Sequence, residues 1–391
     1  MMHDAGPFID WILTKGRHEG LQTLTDALGP RLRAAGIPLM RLRMGMRTTH
    51  PLIAAVSHIW DPGGNDAEDK AQLRAPHGIE TRATYIGSPM EIISTTHGPY
   101  RRRLDDTLGP DDHLILHELK ARGASDWYGR PIHFATGTYG IIIFVADGAG
   151  FSTEDIALLD TISEVLAPVV EARRHDHIAN AIATSYLGPR TGQRVLDGQI
   201  TRGDIEQIEA AILFSDIRGW TALNATEPAE TVLDIANRYF EVMSDAIDNN
   251  GGEILKFTGD GVLALFPSDG SDAGQVNACR QALSAAHAAL GIAALADLPV
   301  PFGTGIHYGE LLYGNVGARE RLDFTVLGQS VNIASRVEAF CGRLGEPVLL
   351  SDTVAQLTGM PTRHVSTETL KGLDTPMPLH APAGGGAPAN S

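Results

Sequence analysis

Cysteine is almost absent from this 391-residue chain: only Cys279 and Cys341 occur, too few for a disulfide framework. With no cysteine before residue 279, a thioether-linked chromophore in the N-terminal part is excluded. Positive charge is also scarce, with 31 Lys and Arg against 47 Asp and Glu and a formal net charge of −16. That balance argues against a nucleic-acid partner, because no basic face stands out to neutralise phosphates. The one basic run, Arg101-Arg-Arg103, reads as a solvated loop. Long apolar runs are missing as well. The longest, around 139–146 and 290–296, fall far short of the roughly 20 residues that span a bilayer. The first residues, Met-Met-His-Asp, lack the basic stretch and apolar core of a secretory signal. The expectation is a soluble, cytoplasmic protein.

Hydrophobic residues make up 43% of the chain, enough for ordinary cores, and the length suggests two or three domains at roughly 150 residues each. Residues 1–150 mix strand-like stretches at 53–60, 82–86 and 140–145 with a helical one at 112–122. Residues 151–208 read as a helical connector. Ser152 is a candidate N-cap with Asp155 three residues on, and Ile156, Leu159, Ile162, Leu166 and Val169 keep the 3–4 spacing of a helix–helix seam. Pro168 should kink this helix; a second short one is expected at 176–186, then a polar connection over 190–208. Residues 209–376 alternate strand signals (211–214, 254–257, 262–266, 304–307, 348–350) with helices at 228–249, 272–290 and 330–340. Residues 377–391 are expected to be a disordered tail, being rich in Ala, Gly and Pro from 381 on.

Two carboxylates stand out in the third segment. Asp216 and Asp260 each come near the end of a short apolar run, Asp216 with Gly219 three residues on and Asp260 between Gly259 and Gly261, which suits the mouth of a sheet. Such a pair can hold hard cations, and paired cations suit phosphoryl transfer. Around them lie ordered motifs: Phe214-Ser-Asp-Ile-Arg-Gly-Trp-Thr221, Lys256-Phe-Thr-Gly-Asp-Gly261, Gly305-Ile-His-Tyr-Gly309, Gly314-Asn-Val-Gly317 and Phe324-Thr-Val-Leu-Gly-Gln-Ser-Val-Asn-Ile-Ala-Ser-Arg336. In this order they resemble the class III nucleotidyl cyclases, the family of adenylyl and guanylyl cyclases, over roughly residues 209–376.

The resemblance implies an α+β fold within the broad α/β class: a ferredoxin-like cyclase domain with an antiparallel sheet and flanking helices. It implies that Asp216 and Asp260, with the carbonyl of Ile217, hold two Mg²⁺ or Mn²⁺ ions per active site. Lys256 and Thr325 match the positions that read the purine. Lysine can only donate and a threonine oxygen can accept, so the pair fits adenine, with its acceptor at N1 and its exocyclic amine. Many adenylyl cyclases carry Asp where this chain has Thr325, and a bacterial subgroup carries Thr. Asn332 and Arg336 lie four apart on one helix face, matching the residues that orient the ribose and stabilise charge on the α-phosphate. Lys371, in Leu370-Lys-Gly372, matches a lysine that contacts the triphosphate.

The implied activity is conversion of ATP to 3′,5′-cyclic AMP and pyrophosphate. A guanylyl cyclase and a catalytically inactive nucleotide-binding scaffold are the alternatives. Because the family builds its site between two cyclase domains and this chain carries one full set, a homodimer with shared sites is implied. In the first segment, the strand at 140–145 followed by Gly150-Phe-Ser-Thr-Glu-Asp-Ile-Ala-Leu-Leu159 resembles the last strand and helix of GAF-type sensor domains. A PAS-like or unrelated α/β module stays open there. A small-molecule or protein regulator acting at this domain through residues 152–187 is the corresponding expectation.

Overall fold

Leu42, Met44 and Met46 alternate with Arg41, Arg43 and Gly45, a period of two that puts one set on each face of a strand. The computed structural model, which describes residues 3–64, 73–319, 321–371 and 375–383, places them on the strand Leu39–Arg47. The chain divides into two compact units, Met1–Ile182 and Ala183–Ser391.

The first unit contains α1 (Gly6–Thr14), α2 (Leu21–Ala34), β1 (Leu39–Arg47), β2 (Ile53–Trp60), β3 (Leu73–Pro76), α3 (Pro89–Thr96), β4 (Tyr100–Arg103), α4 (Leu114–Ala121), β5 (Asp126–His133), β6 (Tyr139–Ala146) and most of α5 (Thr153–Leu187). Its strands form one antiparallel sheet in the order β3-β2-β1-β6-β5-β4. One face is covered by α1, α2 and α5 around Leu24, Leu28, Leu42, Met44 and Phe144. The other carries α3 and α4 on Trp127, Ile143 and Val145.

Several expectations are corrected here. Residues 82–86 form turns rather than a strand. The arginine run is not a solvated loop but strand β4. Arg101 pairs at 2.6 Å with the fully buried Asp126, Arg102 pairs at 2.9 Å with Asp112, and Arg103 pairs with Asp105. Helix α5 runs unbroken through Pro168 to Leu187, so no second helix starts at 176. Pro168 and Glu164, whose carbonyl loses its partner, both face solvent, where water can satisfy that oxygen. The N-cap expectation holds: Ser152 Oγ accepts from Asp155 N at 3.1 Å, and Asp155 Oδ2 accepts from Ser152 N at 2.8 Å. The apolar stripe is not a helix–helix seam, because Leu158, Leu159, Ile162, Leu166 and Val170 pack in the first unit's own core.

The second unit contains α6 (Pro189–Leu196), β7 (Ile205–Ile217), α7 (Trp220–Thr226), α8 (Ala229–Asn249), β8 (Glu253–Thr258), β9 (Gly261–Pro267), α9 (Asp272–Leu295), β10 (Phe302–Gly317), β11 (Leu322–Leu327), α10 (Gln329–Leu344), β12 (Val348–Ser351), α11 (Asp352–Thr358), β13 (Thr362–Glu368) and β14 (Met377–Pro382). Its sheet runs β13-β14-β12-β10-β7-β9-β8, with β11 paired to β10. Among the described residues only the β10–β12 pairing is parallel. The succession β7-α8-β8-β9-α9-β10 is the β-α-β-β-α-β arrangement of a ferredoxin-like core, as expected.

Two boundaries shift. The polar stretch at 190–208 contains helix α6 and the start of β7 rather than a bare connection. Residues 377–382 are not disordered but form β14 between β12 and β13. Residues 384–391 lie outside the described residues.

Candidate active site

Alternation along β7 decides where Asp216 points. Ala211 and Leu213 enter the core under α8 and α9, whereas Ala210 and Ile212 enter the opposite one, shared with Ala334 of α10. Asp216 has the parity of the second set, so it faces the α10 side at the end of its strand. Asp260 arrives from the neighbouring hairpin. Thr258 pairs with Gly261, leaving Gly259-Asp260 as a two-residue turn in which Gly259 takes φ +73°, as a type II′ turn requires. Strand β9 pairs Gly261 with Asp216, which sets the two carboxylates side by side. A Cβ at Gly261 would lie 3.1 Å from Ser215 O and 3.3 Å from Asp216 Oδ1, so the hairpin fits against β7 because that position has no side chain.

Burial first, and then the hydrogen-bonding contact and charge of Asp260, push the Asp216 carboxyl up to about 7. Asp216 Oδ1 is buried and has no hydrogen-bond partner among the described residues. An orphaned oxygen beside a second carboxylate is what a hard cation would satisfy, so this pair fits divalent metal. Among the described residues no cluster of three or more His, Cys, Asp or Glu side chains suited to a metal exists. The remaining ligands would therefore have to be oxygens of the backbone, of water or of a bound phosphate. Ile217, the expected carbonyl donor, is buried, and its N–H donates to Asp260 O at 3.4 Å.

Behind this pair a buried network fixes the strand end. Tyr239 donates to Ser215 Oγ at 2.8 Å, and Ser215 Oγ donates to Gly303 O at 2.9 Å. Helix α10 lies directly on β10. A Cβ at Gly305 would sit 2.2 Å from Glu338 N, so the approach exists only because residue 305 is glycine. This contact brings Glu338 toward the carboxylate pair. Burial and Asp216 push its carboxyl up to about 7, Arg218 opposes the rise, and Asp260 adds to it.

The purine-reading candidates form a second group. Lys256 Nζ on β8 pairs with Asp323 Oδ2 on β11 at 2.8 Å, and Thr325, two residues further along β11, is buried. Asn332 is exposed and Arg336 half-buried on α10. Neither makes a hydrogen bond or ion pair with a described residue, which leaves both polar heads available. Lys371 is exposed beside the buried Leu370; Gly372 of that motif lies outside the described residues. No hydrogen bond or ion pair among the described residues joins the second group to the carboxylate pair.

Sequence reasoning missed three neighbours. Asp323 was findable, since it shares a strand face with Thr325 at i, i+2 and opposes Lys256 in charge. Arg218 and Glu338 were not, because only the close approach of α10 to β10 brings Glu338 to the two aspartates.

Residues 205–377 match the family described as adenylate and guanylate cyclase catalytic domain. Over 166 residues the chain is 37% identical to an adenylate cyclase of Anabaena cylindrica, covering 38% of this chain and 31% of that protein. It is 32% identical over 185 residues to adenylate cyclase 1 of Rhizobium meliloti, covering 45% of this chain and 28% of that protein. The matched segments thus span less than a third of either relative. Among solved structures, the adenylyl cyclase CyaB from P. aeruginosa is similar at 28% identity with a TM-score of 0.40, covering 45% of this chain and 94% of that one. No helix among the described residues is long and apolar enough to cross a membrane.

Proposed function

From a chain whose residues 205–377 form an adenylate and guanylate cyclase catalytic domain, we propose an adenylyl cyclase that converts ATP to 3′,5′-cyclic AMP and pyrophosphate. The ribose 3′-oxygen attacks the α-phosphorus, the bond to the β-phosphate oxygen breaks, and the hydroxyl proton passes to solvent. The observation that carries this reading is the Asp216–Asp260 pair with its orphaned oxygen. Two divalent cations, Mg²⁺ or Mn²⁺, would supply charge for the triphosphate and lower the pKa of the 3′-hydroxyl. Asp216 and Asp260 hold that charge in place, with Ile217 adding its carbonyl. Lys256, oriented by Asp323, donates to adenine N1, and Thr325 accepts from the exocyclic amine. Asn332 orients the ribose, the Arg336 fork takes up charge on the α-phosphate, and Lys371 contacts the triphosphate.

A two-fold homodimer would account for the lack of any hydrogen bond or ion pair between the two groups among the described residues of one chain. One protomer would supply the carboxylate pair and its partner the base, ribose and phosphate contacts. The exposed apolar side chains Phe257 on β8 and Leu327 on β11 lie on the strands that carry Lys256 and Thr325, and they suit such a contact. For the first unit we propose a GAF-like regulatory domain; its six-stranded antiparallel sheet followed by a long helix supports that assignment.

Purified protein with Mn²⁺, assayed on ATP and on GTP with chromatographic product identification, tests the activity. Cyclic GMP as the sole cyclic product would make it a guanylyl cyclase, and no product a scaffold. Mixing Asp216→Ala with Arg336→Ala protomers should restore activity through one intact site; no recovery would refute shared sites.

A further inference from the structure

The face of the N-terminal sheet opposite its main core is only partly filled. Since Leu42, Met44 and Met46 of β1 enter the core with α2 and α5, Arg41 and Arg43 point the other way, toward α3 and α4. There a cavity of about 340 Å³ is walled by Met90, Leu119, Trp127, Ile143 and Val145, with Arg41 and Arg43 at its polar end. That volume lies within the range of small-molecule sites, as does a mostly apolar wall with a few convergent polar groups.

Two guanidiniums against an apolar wall are costly to desolvate unless paired. Arg41 lies 3.5 Å from the buried carboxylate of Asp61. Arg43 has no carboxylate among the described residues. Its Nη2 donates to Ser57 Oγ at 3.0 Å, and its buried Nε has no hydrogen-bond partner. Burial, and then the charge of Arg41, hold Arg43 down to about 10, so it still carries its proton at neutral pH. Of the other polar groups lining the cavity, Ser88 Oγ accepts from Glu91 N at 3.2 Å and His113 Nδ1 from Ile115 N at 3.2 Å, each capping a helix, while Thr84 and the carboxylate of Glu118 are exposed to solvent.

We propose that this cavity binds a small organic carboxylate with a branched or ring-containing apolar body no larger than two fused rings, the carboxylate on Arg43 and the body against Trp127, Ile143 and Val145. With Arg41 paired to Asp61, the one guanidinium without a carboxylate suits a singly charged carboxylate better than a doubly charged phosphate, and the mostly apolar wall does not suit a sugar. A neutral apolar molecule would leave the charge of the Arg43 guanidinium without a counter-ion. The site is separate from the cyclase residues, so binding can be read without turnover, and its failure would say nothing about the proposed activity.

The test is calorimetric titration of the full-length protein with benzoate, phenylacetate, indole-3-acetate and 4-methylpentanoate, alongside the uncharged amides of the same acids and inorganic phosphate. At least one carboxylate should bind, its amide about tenfold or more weaker, and phosphate not measurably. Arg43→Met should weaken the carboxylate about tenfold or more and leave the amide unchanged. Ile143→Phe, which fills the cavity, should abolish binding of both. If Arg43→Met does not fold, the carboxylate–amide difference on the wild type decides alone. Equal affinity for acid and amide, phosphate binding as tightly as the acids, unchanged acid affinity in Arg43→Met, or no binding by any of the four acids would overturn the proposal.

Discussion

Asp216→Asn should stabilise the protein while abolishing its catalysis, a pairing of signs that an ordinary core aspartate would not give. The folded protein holds the Asp216 carboxyl up to about 7 against an ordinary value of 3.8, through burial and the neighbouring Asp260. A carboxyl with a raised folded pKa binds its proton more tightly folded than unfolded. Its contribution is therefore most favourable below the unfolded value and is lost as pH rises from there to about 7. At pH 8 the wild type carries two adjacent charges, and Asn removes one while offering an N–H to Asp260. Each pKa unit corresponds to about 1.4 kcal/mol, but solvent screens a half-buried carboxylate, so we expect a gain of about 1–2 kcal/mol. At about 2–4 °C per kcal/mol for a domain of this size, that raises Tm by roughly 2–8 °C. Thermal melts with a chelator at pH 8 should show this gap, and it should shrink steadily toward pH 5. Millimolar Mn²⁺ should raise the wild-type Tm at pH 8 and leave the variant unmoved. A variant that melts lower than wild type at pH 8, or a gap that does not change with pH, would refute the argument.

Asp323→Ala removes an exposed ion pair and should lower stability by less than about 1 kcal/mol, yet raise KM for ATP about three- to tenfold with kcat little changed. An unaltered KM would reduce the Lys256–Asp323 contact to a surface pair. Acid should weaken the first unit through His58, which burial and then His177 hold down to about 4. Its stability is full above the ordinary 6.5 and is lost as pH falls toward 4, at a cost of about 2–3 kcal/mol. His58→Gln should flatten that part of the Tm–pH curve in thermal melts. Gly305→Ala drives a methyl to 2.2 Å from Glu338 N and should cost about 1–3 kcal/mol in denaturant unfolding. Gly291→Ala, in helix α9 with nothing within 4 Å, should instead gain about 0.5–1 kcal/mol.

How much of this was legible in the sequence depended on whether a signal was local. The carboxylate pair was legible because Asp216 closes an apolar run and Asp260 lies between two glycines, and each does sit at a strand end or in a hairpin turn. The stop of α8 at Asn249, before Gly251 at φ +79°, was legible for the same reason. Strand β10 was recognised only at 304–307 although it runs for 16 residues, because Gly303, Gly305, Gly309, Gly314 and Gly317 read as breakers. In the sheet Gly303, Gly305 and Gly309 give α10 a surface to lie on, a tertiary cause that no window of sequence shows. Strands β13 and β14 were hidden by Thr, His and Pro content, and only their pairing with each other and with β12 orders them. Arg101-Arg-Arg103 misled because the partner acids, Asp105, Asp112 and Asp126, follow the run at increasing sequence distance.

The helix α5 shows how a misassigned boundary changes an experiment. Treated as a connector from 151, it invites removal of residues 1–150 to ask what the N-terminal unit does. Yet Leu158, Leu159, Ile162, Leu166 and Val170 are all but fully buried in the first unit's core. Such a truncation would expose five large apolar side chains, each worth about 1.5–3 kcal/mol when buried, and would report on aggregation rather than regulation. A chain starting at Ala183 respects the division between the two units and keeps α6, whose Thr191 donates to Glu253 Oε1 through both N–H and hydroxyl at 3.0 and 3.1 Å. Static light scattering should find the chain from Ala183 free of large aggregates and the chain from residue 151 aggregated. The reverse result would mean that the stripe on α5 has another partner besides its own sheet. With the cut at Ala183, any change in cyclase rate reflects loss of the first unit and not the exposure of its core.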